Sequence, residues 1–115
     1  MIPRGVEIFV GVEPIDLRWS FDRLAGIASE RIGREARSGA LFVFFGKRRE
    51  AIKVLFFDGS GPCLLYKRLD KGVFRLPEIE GDATSIDIDE RMLDDLLDGI
   101  DVEAKTPPGR GSRVH

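Results

Sequence analysis

The residues with the most chemistry to offer are the bases in the middle of the chain. Between Leu41 and Leu76 lie Lys47, Arg48, Arg49, Lys53, Lys67, Arg68, Lys71 and Arg75, against only Glu50, Asp58 and Asp70. Eight bases and three acids leave a local excess of five, in a chain whose net charge is -2. Such a cluster can neutralise phosphates and release their counterions. From Glu78 to Glu103 the balance reverses, with eleven acids and Arg91 alone. The middle of the chain suits a polyanion and the end does not. Lys47, Arg48, Arg49, Lys53, Lys67, Arg68 and Lys71, with Tyr66 and Phe74 interleaved, are therefore the candidate nucleic-acid-binding residues. Carried on a β-ribbon they can reach phosphates and a groove, although charged turns also serve plain solubility. Trp19 is the single tryptophan and the candidate partner-binding residue, because exposed Trp is enriched at protein contacts. Packing beneath the loop before its helix accounts for it equally well.

Catalytic constellations are missing. The single histidine, His115, ends the chain, and the single cysteine is Cys63. A nucleophile needs a base held within hydrogen-bond reach, and a zinc site needs about four Cys or His ligands. Gly46-Lys47 lacks phosphate-loop spacing. Asp58-Gly59-Ser60-Gly61 lacks the alternating oxygens and distal Glu of a calcium loop and reads as a turn. Asp87, Asp89, Glu90, Asp94, Asp95, Asp98 and Asp101 supply many carboxylates, but on the polar side of a short amphipathic helix, where a solvated face is expected. We expect no catalytic residues, no metal and no cofactor: a binding protein, not an enzyme. Cys63 reads as a small buried hydrophobe.

The elements that must position the bases follow from the apolar pattern. Val6–Val12 reads as a strand, ended by Glu13-Pro14-Ile15. Asp16 is placed to cap a helix whose stripe is Leu17, Phe21, Leu24, Ala25, Ala28 and Ile32, with Gly33 just past its end. Arg18 and Asp22 have the spacing of a weak surface pair. Leu41–Phe45 and Ala51–Phe57 form a hairpin around Gly46–Glu50. Cys63–Leu69 continues as a third strand and Val73–Leu76 as a short fourth, ended by Pro77. Ser85–Ile88 is a short edge strand. Asp89 caps a second helix over Glu90–Asp98, with Ile88 and Leu93 as its staple and Gly99 as its stop. The class is α+β: an antiparallel meander sheet of four or five strands, with an amphipathic helix after the first strand and a short C-terminal helix. The first helix is expected on one face of the sheet and the acidic helix near an edge.

Hydrophobic residues at 43% and charged residues at 33% are the balance of a globular domain. The length of 115 residues suits one domain, assigned to residues 1–103, with 104–115 as a disordered tail. There is no signal-peptide pattern and no apolar run of membrane-spanning length. With one cysteine, the expectation is a cytoplasmic protein without a membrane role.

Several short segments in order resemble a known family. They are Pro14-Ile15-Asp16-Leu17-Arg18, Phe21-Asp22-Arg23-Leu24-Ala25, Gly39-Ala40-Leu41-Phe42-Val43-Phe44, Ile52-Lys53-Val54-Leu55, Phe56-Phe57-Asp58-Gly59, Tyr66-Lys67-Arg68-Leu69 and Gly72-Val73-Phe74. Over residues 1–101 the chain resembles the TnpB-type accessory protein, the second-frame product of the insertion-sequence-sixty-six family of bacterial transposable elements. It departs from the usual pattern at Phe56-Phe57, where a Trp commonly precedes Asp-Gly, and at Trp19-Ser20, where Lys-Gly is common. The resemblance implies a role in DNA transposition beside a separate, larger transposase that carries the chemistry. It supplies no catalytic residues. DNA at the element ends and the transposase are the implied partners. The leading expectation is DNA binding through the basic hairpin face; the alternative is an adaptor for the transposase with no DNA affinity of its own.

Overall fold

The computed structural model describes residues 5–76 and 81–99. Five strands, β1 (Ile8–Gly11), β2 (Leu41–Phe45), β3 (Ala51–Phe57), β4 (Pro62–Arg68) and β5 (Ser85–Ile88), form one sheet in the order β4-β3-β2-β1-β5. Two α-helices accompany it, α1 (Phe21–Ile27) and α2 (Glu90–Leu97). The class is α+β, and all strand neighbours except β1 and β2 are antiparallel.

The parallel β1–β2 pair departs from a simple meander. The chain between them contains α1, a wider helical turn over Ala28–Ile32 and a short turn at Ala36–Ser38. A crossover of that length returns the chain to the starting end of β1, which makes the next strand parallel. β2 is buried along its whole length, as expected of a strand covered on both sides. Phe42 and Phe44 point to one face with Phe9 and Leu55, under Leu24, Ile27 and Ala28 of the helical crossover. Leu41, Val43 and Phe45 point to the other with Ile8, Val10, Ile52, Val54 and Phe56, under Leu93 and Leu96 of α2. The acidic helix thus lies across the second face rather than near an edge. It begins beside β5, and its Leu97 carbonyl receives the Lys67 ammonium of β4, at the opposite side of the sheet.

Two further expectations are corrected. The first helix starts at Phe21, not Leu17, and Ser20 occupies its N-cap. Asp16 does not cap it. Its carboxylate instead accepts the Arg18 N–H at 2.9 Å and the Arg18 guanidinium at 3.0 and 2.7 Å, closing a local turn; Arg18 therefore pairs with Asp16 and not with Asp22. Leu17 lies in the loop against Gly46, where a Cβ would stand 2.5 Å from Leu17 Cδ1. Val73–Leu76 is not a strand. Its Phe74 N–H donates to the Arg49 carbonyl at 2.7 Å, and the fully buried ring sits in the second core with its centroid 6.2 Å from that of Phe45.

Three local signals are realised. Gly33 has φ 78°, the left-handed conformation that ends the helical crossover. The Asp89 carboxylate accepts the Met92 N–H at 2.8 Å, and Ile88 and Leu93 share a core. The assignments of a tail at 104–115 and of a domain boundary at 103 lie outside the described residues. No helix among the described residues is long and apolar enough to cross a membrane. Because Phe74 fills the second core from a loop, Phe74→Ala should cost roughly 3–5 kcal/mol in urea unfolding. Val73→Ala, at a half-buried neighbour, should cost much less.

Candidate nucleic-acid interface

Antiparallel pairing gathers the turns at one end of the sheet. Ala51 lies opposite Arg68, so the β2–β3 turn and the segment after β4 emerge together. The Leu69 N–H donates to the Glu50 carbonyl at 2.9 Å, and Phe74 holds the Arg49 carbonyl. The loop before α1 joins the same end through the Ile15 N–H, which donates to the Phe45 carbonyl at 2.8 Å. Lys47, Arg48, Arg49, Arg68 and Lys71 are thereby brought together, all exposed. Arg18, which lies within a family-like segment but outside the expected DNA-binding set, pairs with Asp16 beside the same groove. The Asp16–Arg18 turn, invisible in helical periodicity, shapes this loop, and the Ile15 bond to Phe45 draws it to the end of the sheet.

The arrangement is fixed by backbone and loosely held by side chains. Arg49 has φ 59°, the one non-glycine positive φ among the described residues. Its guanidinium carbon lies 5.8 Å from the centroid of Phe45. Arg68 faces Glu50 at 3.5 Å and Arg18 faces Asp16 at 2.7 Å. Exposed pairs of this kind contribute about 0–1 kcal/mol, so both guanidinium groups can turn to a phosphate at little cost. Lys47 and Arg48 line an open groove of about 560 Å³. Pro14, Ile15 and Leu17 supply apolar lining, together with Gly46, Ala51 and Arg68.

Two bases of the expected set are engaged elsewhere. Lys53, half-buried on the α1 face, donates to the Trp19 carbonyl at 2.9 Å. Lys67 donates to the Leu97 carbonyl, where the positive charge also meets the negative end of the α2 dipole. Both tie secondary-structure elements together. Trp19 is half-buried against the first core, and Arg23 stacks over its ring at 4.6 Å.

Cys63 is half-buried rather than fully buried. Desolvation, with the nearby Asp58 carboxylate, pushes its thiol up, away from a reactive thiolate. Asp58 accepts the Ser60 N–H and hydroxyl and the Gly61 N–H within 3.0 Å, the bonds of a turn. Among the described residues no three His, Cys, Asp or Glu side chains are grouped to hold a metal. Hydrogen bonds lower the pKa of Asp58 to about 2. The Arg18 hydrogen bond does the same for Asp16, also to about 2. A carboxylate with a depressed folded pKa stabilises the fold above its unfolded value, near about 4, and that support is lost as pH falls towards about 2. Carboxyl NMR titration should place both near 2, and Arg18→Ala should return Asp16, but not Asp58, towards the ordinary range.

Comparison with known proteins gives the same family as the sequence resemblance. The family described as IS66 Orf2 like protein matches residues 6–107. The chain is 40% identical over 103 residues to the uncharacterized protein y4hO of Sinorhizobium fredii, with 88% of each chain covered. It is 31% identical over 98 residues to the uncharacterized protein y4jC of the same organism, covering 85% of this chain and 82% of the relative. No solved structure matches.

Proposed function

The chain belongs to the IS66 Orf2-like family of accessory proteins associated with transposition, and from that premise we propose that it binds DNA and assists a separate transposase at the element ends. The observation that carries this reading is the convergence of Lys47, Arg48, Arg49, Arg68 and Lys71 on one end of the sheet. α2 lies over the second face, and its C-terminal end meets Lys67 beside this cluster. Exposed bases on short turns reach phosphates without moving the scaffold, because ladder bonds fix the turns that carry them. Phosphate contact gives affinity with little sequence information, which fits a factor that helps to assemble a complex whose chemistry lies in another protein. Lys53 and Lys67 hold secondary structure in this reading, and contribute less to DNA contact than the turn bases. The function is that of a soluble cytoplasmic binding protein without catalytic groups of its own.

Fluorescence anisotropy with a duplex carrying the element's terminal repeat, against a scrambled duplex, tests the proposal. Log affinity should fall with log salt at about 0.9 per phosphate contact. Lys47→Glu with Arg48→Glu should weaken binding at least tenfold on both duplexes and flatten that slope, while Lys53→Met changes it little. Absence of binding by the parent at low salt would overturn DNA contact. Retention of the protein by the transposase, lost on Trp19→Ala with the fold intact, would then identify an adaptor.

A further inference from the structure

β4 forms one edge of the sheet, with no described strand beyond it. In its ladder with β3, the Leu69 N–H reaches the Glu50 carbonyl and the Asp58 N–H reaches the Gly61 carbonyl. Antiparallel pairs alternate between bonded and unbonded residues. Cys63, Leu65 and Lys67 therefore turn their backbone groups towards β3, and Leu64, Tyr66 and Arg68 turn theirs outward. Natural edges are commonly guarded by a charge or a proline in mid-strand. Here Pro62 stands only at the first position, and Pro62–Tyr66 carries no charge. Lys67, the base best placed to guard the edge, is drawn onto the Leu97 carbonyl. Leu64 and Tyr66, which share the outward backbone positions, are 39% and 49% exposed, the exposed large hydrophobics among the described residues.

We propose that this edge pairs with the same edge of a second copy, antiparallel about a two-fold axis at Leu65, joining two sheets into one. Bonded pairs must join outward-facing residues. The register that sets Leu64 against Tyr66 of the second copy, and Pro62 against its Arg68, satisfies that rule. It lays each exposed apolar side chain on the other across the strands and makes about six backbone hydrogen bonds. Charge selects the same orientation. β4 begins beside the ionised Asp58 turn and ends in Arg68. Antiparallel self-pairing sets the acidic turn of one copy beside the basic end of the other, whereas parallel pairing would set like against like. An isologous contact of this kind closes on itself and leaves no edge for further copies. The contact is smaller than the roughly 1,600 Å² of a standard interface, so dimerisation in the micromolar range is expected.

Sedimentation equilibrium of the full chain, from micromolar to millimolar, reads this directly. The parent should pass from monomer to dimer and no further. Leu64→Lys with Tyr66→Lys, at two exposed positions, should remain monomeric with an unchanged circular dichroism spectrum. The register has its own test. Leu65→Cys in a Cys63→Ser background should cross-link to a covalent dimer on mild oxidation, because residue 65 faces itself across the axis. The parent, whose Cys63 faces Lys67 of the second copy, should not. A parent that stays monomeric throughout the range, a folded double-lysine variant that still dimerises, or cross-linking through Cys63 instead of residue 65 would each overturn the proposal. Lys47→Glu with Arg48→Glu should leave the dimer intact, which separates this interface from the DNA reading.

Discussion

Phe42 and Phe44 leave one side of β2, and Leu41, Val43 and Phe45 leave the other, and water reaches none of them. A strand apolar on both sides can be stable only if the chain covers both faces of its sheet. The path of the backbone follows from that demand. The crossover between β1 and β2 lays α1 over Phe42 and Phe44. The return through β5 lays α2 over Val43 and Phe45. Phe74 completes the second layer from a loop because α2, with Leu93 and Leu96 as its buried residues, is too short to fill that side alone.

The same layering decides what each charge can do. Lys53 and Lys67 lie on β3 and β4, under the helices or beside them, and their ammonium groups are met by backbone carbonyls of Trp19 and Leu97. A carbonyl at the end of a helix has no intrahelical partner, so Lys67 satisfies a group that would otherwise rely on water. The bases on turns have no such layer over them. They stay in solvent, where the surrounding field is screened only over about 8–10 Å, and several bases within that range act together. The acidic helix is part of this division. Its apolar side seals the core through Leu93 and Leu96, and its C-terminal end is held to β4 by Lys67.

Local turn chemistry sets the fine placement. The Asp16 carboxylate spends its acceptors on Arg18, which delays the helix to Phe21 and leaves Ile15 free to bridge to Gly46. That bridge and the close fit of Leu17 on Gly46 draw the loop before α1 against the β2–β3 turn and form the groove between them. A side chain at residue 46 would collide with Leu17, so the groove depends on glycine there.

Strands β2, β3 and β4, the acidic helix with its Asp89 cap and the bases that belong to turns are all legible in the residue pattern. In these, hydrophobic period, turn residues and capping chemistry act within a few residues, and local forces suffice. Spacing predicts that α1 starts at Leu17, which fits the helical stripe, while the hydrogen bonds of Asp16 exclude it. Val73–Leu76 looks like a strand by composition, yet Phe74 is held by one backbone bond and by burial among residues distant in sequence. Tertiary structure alone decided that β1 runs parallel to β2, that α2 crosses a face, and that Lys53 and Lys67 are occupied while Arg18 joins the basic end. Each of these depends on which segments meet after the crossover, and a pattern of types along the chain carries no record of that meeting.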